Sequence, residues 1–173
     1  MGLTQRELCP NSENWYAVTV RHQHERAALT ALEHRRVSGL LPLYTVRSRW
    51  SDRVQTIQLP LFAGYVFCRF DPRRRAEVLT TPGVRSIVGF GGSAQPIAAS
   101  EIEAIERLAA SKLPVGPWPY LRPGGRVRIE RGPLRGLEGT LLREKDVFRL
   151  VIGVELLQRS IAAELSPEMI TPC

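Results

Sequence analysis

The segment Leu113-Pro-Val-Gly-Pro-Trp-Pro-Tyr-Leu121 constrains the fold of this chain more than any other feature. Pro114, Pro117 and Pro119 lack the backbone N–H that a helix interior or a central strand needs, so the stretch reads as an extended spacer. The hydrophobic period differs on its two sides. Before it, short β-branched runs are interleaved with helical spacing. After it, Phe148, Leu150, Ile152, Val154 and Leu156 take every second place, as in a half-buried strand. The pattern predicts a first domain over 14–112, a linker over 113–121 and a second domain over 122–173. A chain of 173 residues can form two such modest cores.

In the first part, Trp15-Tyr-Ala-Val-Thr-Val20 predicts a strand, and Ala28, Leu29 and Leu32 share a face of a helix over 24–36. Leu40–Tyr44 predicts a second strand and 46–54 a hairpin with Ser51-Asp52 at its tip. Residues 61–70 predict a central strand, 72–79 a short helix and 84–90 another strand. Ser100 with Glu103 reads as a capping box opening a helix whose stripe is Ile102, Ile105 and Leu108. The order fits an α+β sandwich, with helices packed on an antiparallel sheet. In the second part, Arg126-Val-Arg-Ile-Glu130 and Ile161, Ala163 and Leu165 repeat the alternation. Gly132-Pro133, Gly136 and Gly139 supply turns, so a small curled β-barrel is expected.

Lys and Arg number 24 against 17 Asp and Glu, a surplus of seven, and only Lys112 and Lys145 are lysines. This bias favours a polyanionic partner. Up to Lys112 there are 15 basic and 10 acidic residues, so the first part is the expected polyanion-facing half. Arg21-His-Gln-His-Glu-Arg26, read as helical, and Arg73-Arg74-Arg75 are the candidate phosphate contacts. A solvated charged face explains them equally well. No run approaches the ~20 apolar residues of a membrane span. Met1–Asn14 has no apolar signal core, and Cys9, Cys68 and Cys173 form no disulfide framework, so a cytoplasmic protein is expected.

Enzymatic signatures are weak. Gly89-Phe-Gly-Gly-Ser-Ala94 fits G-x-G-x-x-A, but Pro96 follows where a helix must start and Ser111 stands where an acid is needed, so it reads as a tight turn. His22, His24 and His34 have no cysteine or paired carboxylate beside them and read as solvated or phosphate-facing. Phe62, Tyr65 and Phe67 read as core. If Ala63-Gly64 kinks the strand, Phe62 and Phe67 line one open apolar groove.

Taken together, Trp15-Tyr16, Pro60-Leu-Phe-Ala-Gly-Tyr-Val-Phe67, Thr81-Pro-Gly-Val84 and Pro96-Ile97 before an acidic helix resemble the NusG family of transcription elongation factors. Gly125-Arg-Val-Arg-Ile129, Gly132-Pro-Leu-Arg-Gly-Leu-Glu-Gly139 and Arg159-Ser160 look like its KOW motif. The likeness runs from Asn14 to Ile170. The Arg-His-Gln-His-Glu stretch and the 49–53 hairpin look most like the specialised UpxY- and RfaH-type paralogues.

The resemblance implies a monomeric, non-enzymatic factor without cofactors, built from an NGN-type sandwich and a KOW β-barrel. It would bind the clamp helices of RNA polymerase, suppress pausing and promote antitermination. Thr19, Phe62, Ala63, Tyr65 and Phe67 would face the clamp helices, and Thr80 and Thr81 the opposite jaw. Ala63 replaces the proline of the family's usual Phe-Pro pair. Arg21, His22, His24 and Arg26 would lie near non-template DNA. Leu134, Leu137 and Leu157 stand where the KOW domain meets ribosomal protein S10 or Rho. Leu59 replaces a carboxylate that holds some relatives closed, so an open, β-form KOW domain is expected. The second reading is an RNA-binding, ribosome-associated KOW protein.

Overall fold

A computed structural model of the chain describes residues 13–50, 53–119, 126–144, 147–166 and 169. Strand β1 (Asn14–Val20) leads through a turn to helix α1 (Glu25–His34). Then come β2 (Ser38–Leu40), β3 (Leu43–Trp50), β4 (Arg53–Pro60), β5 (Tyr65–Phe70), α2 (Arg75–Leu79) and β6 (Val84–Ile87). A two-rung hairpin, β7 (Gly89–Phe90) and β8 (Ser93–Ala94), precedes α3 (Ala99–Ala110). The remainder is β9 (Val115–Trp118), β10 (Arg126–Arg128), β11 (Glu138–Glu144), β12 (Val147–Val154) and β13 (Arg159–Leu165).

The first sheet is antiparallel in the order β2-β5-β1-β6. Alternation along β1 and β5 divides its side chains between two faces. Tyr16, Val18, Val66, Cys68 and Phe70 point to one side and pack with Ala28 and Leu32 of α1 and Val78 of α2. There Tyr16 and Phe70 lie with ring centroids 4.6 Å apart, and burial pushes the Cys68 thiol up to about 12. Ala17 and Phe67 point to the other side, toward Ile102, Ile105 and Leu108 of α3. This is the α+β sandwich that the sequence predicts.

Local differences have local causes. Arg21–His24 forms a turn with Gln23 in the left-handed region (φ 62°), and α1 starts only at Glu25, so the basic segment is not helical. Helix α3 is capped at Ala98 with no side-chain bond, and Ser100 falls inside the first turn instead of capping it. Gly91 and Gly92 adopt φ of 57° and 78°, which closes the β7–β8 hairpin. The Gly-rich motif is therefore a tight turn, as expected.

The second sheet has the order β10-β11-β12-β13-β9. Phe148, Leu150, Ile152 and Val154 lie on β12 as predicted, but Val151 between them is buried too, and Leu156 falls in the 3-10 turn that follows the strand. Two expectations change. The proline-rich segment is not only a spacer: Val115–Trp118 pairs with Ser160–Ala163 as an edge strand. An edge position tolerates Pro117 because its outer side has no ladder to complete. The sheet is also not closed into a barrel among the described residues, since β10 and β9 stand at opposite edges.

Candidate functional site

The site begins with a kink. Residues 61–64 leave the strand, and Gly64 adopts φ of +82°, a region costly for any residue with a Cβ. The Gly64 N–H donates to Glu25 Oε1 at 2.9 Å, its carbonyl accepts from the Val20 N–H at 2.9 Å, and the Tyr65 N–H donates to the Phe62 carbonyl at 3.1 Å. Glu25 is 96% buried, so this carboxylate ties the first turn of α1 to the kink from inside the fold. The kink brings Phe62 beside Phe67, edge to face, with centroids 5.3 Å apart. Such a pair contributes about 0.5–1.5 kcal/mol beyond its buried area. Ala63, between the kink residues, is exposed.

The groove that this pairing predicts is not open. Phe62 is 1% exposed and Phe67 0%. Both belong to one apolar cluster that runs through α3 and into the C-terminal sheet, including Ile129, Leu134, Leu137, Leu150 and Leu157. Polar contacts join the same two parts. The Arg107 guanidinium of α3 donates to the carbonyls of Pro133 and Arg135. Arg159, at the start of β13, lies over the half-buried Tyr65 ring at 5.2 Å from its centroid. The expected open arrangement of the second part is thus corrected: it is β in form, but it is packed on the first part. The reason is complementary apolar area: Phe62 and Phe67 belong to one buried cluster with Leu134, Leu137 and Leu157.

Thr19 is opposite Tyr65 in the β1–β5 register and shares a 2.7 Å hydrogen bond between its Oγ1 and Ser86 Oγ. Thr80 and Thr81 follow α2, whose Val78 packs on the other face of the sheet, so they are not beside the aromatic pair. Arg35 Nη1 donates to Thr80 Oγ1 at 2.9 Å, and Thr81 is buried with its hydroxyl on the Glu77 carbonyl.

A family profile described as "Transcription termination factor nusG" matches residues 13–106, more than half of the chain. The chain belongs to the NusG family. Among solved structures it aligns with one titled "Domain interaction in Thermotoga maritima NusG". The identity is 21%, over 91% of this chain and 96% of that one, with a TM-score of 0.56; at this identity the likeness shows the fold. A structure of the MjSpt4:Spt5 complex aligns at 20% identity over 79% of this chain and 83% of that one, with a TM-score of 0.33.

In this NusG-family chain the basic candidates separate into two groups. Arg21, His22, His24 and Arg26 are exposed around the entry to α1. Of the arginine run, Arg73 chelates Asp71, with Nη2 to Oδ2 at 2.6 Å, an arrangement that raises the guanidinium pKa. Arg74 pairs with Glu77 at 2.6 Å and donates to the carbonyls of Arg35 and Arg36. Arg73 and Arg74 thus brace the α2 entry, and Arg75 is exposed beside them.

Leu134, Leu137 and Leu157 are buried within the shared cluster. Sequence reasoning missed the roles of Glu25 and Arg107 and the ring partner of Arg159. A charged residue in a helical run reads as solvated, a motif residue at a strand start names no partner, and only the chain's return at Gly64, Pro133 and Tyr65 supplies them.

Proposed function

We propose that this chain is a transcription elongation factor whose first domain binds the clamp helices of RNA polymerase, suppresses pausing and promotes antitermination, as a specialised UpxY- or RfaH-type member of its family. The observation that carries the reading is the Phe62–Phe67 pair beside Tyr65 and Thr19, in one apolar cluster shared by α3 and the second sheet. A non-enzymatic binding role explains why so many large apolar groups converge on one interface between two parts of a chain. In this reading the two parts compete: the clamp-facing residues Thr19, Phe62, Ala63, Tyr65 and Phe67 become available when the C-terminal sheet moves off. The same movement uncovers Leu134, Leu137 and Leu157 for a second partner, ribosomal protein S10 or Rho. The exposed Thr80 serves the opposite jaw of the polymerase cleft, and the buried Thr81 supports the turn behind it. Arg21, His22, His24 and Arg26, with the arginine run 73–75, serve the nucleic acid.

Capture of purified RNA polymerase by the full chain tests this. Phe62→Ala weakens binding by about 2 kcal/mol or more if the ring anchors the interface. Arg107→Ala with Arg159→Glu, which removes contacts holding the two parts together, strengthens it. Unchanged affinity in both folded variants removes this surface from the interface. Tight binding to free ribosomal RNA without polymerase capture supports the ribosome-associated reading instead.

A further inference from the structure

The short strand β9 has no part in the roles above. It stands directly after α3 in the chain, yet it belongs to the second sheet. Its anchors on the two parts are close together. At the α3 end, the Ser111 N–H donates to the Arg107 carbonyl at 3.0 Å, and Ser111 Oγ donates to the Leu108 carbonyl at 2.7 Å. At the sheet end, the Glu164 N–H of β13 donates to the Pro114 carbonyl at 2.9 Å. Only Lys112 and Leu113 lie between these anchors, and the three Cα steps span about 11 Å at full extension. While β9 stays paired, that edge of the second sheet is leashed to α3 at about the breadth of one helix, roughly 10–12 Å with side chains.

The hold on β9 is slight. It pairs with Ser160–Ala163 at the edge of the sheet. Bonding alternates along an antiparallel pair, so Gly116 and Trp118, in phase with Pro114, supply the inward donors, and Pro114 has no N–H to give. A clasp adds to this ladder: the Arg149 guanidinium lies over the Trp118 ring at 4.7 Å, and its Nη2 pairs with Glu164 Oε1 at 3.2 Å. Leu113 and Val115 pack against the cluster that the two parts share, so the strand runs along their seam. The backbone groups that peeling exposes lie on an edge, where water takes over their bonds. Freed from β13, the chain from Ser111 to Arg126 is fifteen steps long and reaches about 50 Å.

We infer that β9 is a releasable strap: paired with β13 it holds the second sheet beside α3, and peeled from β13 it lets that sheet travel to a partner remote from the first domain. The inference rests on the reading above that the two parts separate, and not on which partner separates them.

The test uses the full chain opened by R107A/R159E. Into it G116C/A162C, with the native cysteines replaced, puts two cysteines at opposed positions of the β9–β13 ladder, a separation that a disulfide spans. Small-angle scattering gives the radius of gyration of the oxidised and reduced forms. The reduced form should exceed the roughly 16 Å of a compact chain of this length by at least about 3 Å, and the oxidised form should stay compact. Equal, expanded radii overturn the strap and leave the separation standing. Equal radii at the compact value overturn the separation, and the strap with it. Amide exchange needs no cysteine pair. The N–H groups of Ala162 and Glu164 face β9, and those of Ile161 and Ala163 face β12. In R107A/R159E, exchange at Ala162 and Glu164 should rise on the order of tenfold, while Ile161 and Ala163 keep the wild-type rate. Wild-type protection at Ala162 and Glu164 in an expanded chain overturns the inference.

Discussion

The two faces of the first sheet use similar residues and end in different situations. On the face toward α1 and α2, Tyr16, Val18, Val66, Cys68 and Phe70 are sealed by helices that follow closely in sequence. On the other face, Ala17 and Phe67 share their cluster with α3 and with a sheet that begins beyond residue 112. A face sealed by its own neighbours is permanent as long as the fold lasts. The cover that the second sheet adds to the shared face is held by apolar area and by the contacts of Arg107 and Arg159. Intrinsic hydrophobicity does not separate the faces; what separates them is which part of the chain supplies the cover.

The largest expected effect lies on the sealed side. Phe70→Ala removes a fully buried ring and its contact with Tyr16, and should cost about 3–5 kcal/mol of stability in urea unfolding. A loss below 1 kcal/mol would show that this face is as loosely committed as the other. Next is the hinge between them. Glu25→Ala leaves the Gly64 N–H without its acceptor and should destabilise the chain by about 1–3 kcal/mol. Amide exchange at Gly64 and Tyr65 should accelerate, and protection unchanged from wild type would dismiss the carboxylate as a brace.

The shared side should respond with less loss of stability and more change of shape. Arg159→Ala removes a cation–π contact worth about 0.5–1 kcal/mol at an exposed site. Energy transfer between dyes on Arg85 and Arg131, each changed to cysteine in a chain with its native cysteines replaced, should fall as the two parts separate. Constant transfer would mean that the cluster alone holds them.

The smallest effect is that of pH. Burial first, and the charge of Glu155 second, raise the Glu101 carboxyl above its ordinary range. The closed form therefore holds this proton more tightly than the open one. Its contribution is complete below the ordinary carboxylate pKa and is lost as pH rises through the raised value. Closure measured by the same dyes should weaken across that window, and Glu155→Gln should flatten the dependence. An opposite slope would place Glu101 outside the contact.

Legibility in the sequence followed the range of the interaction. The β12 alternation and the α1 stripe of Ala28 and Leu32 were readable because both depend on period alone. The kink at Ala63-Gly64 was readable as a condition, since Gly64 permits a left-handed backbone without requiring it. The strand in the proline-rich segment was not readable, because Pro117 is acceptable only on an edge, and no local signal says which strand will be last in a sheet.

The candidate site divides in the same way. The aromatic residues and the exposed arginines were visible as residue types, but the contacts of Glu25, Arg107 and Arg159 were not, because they depend on backbone groups and a ring far away in the chain. The sequence by itself determined the strand and helix periods, the basic surplus and the motifs of the family, since these reside in neighbouring residues. Only the tertiary structure decided that Phe62 and Phe67 lie beneath a shared cover, because burial depends on which distant apolar surface finds a complementary one.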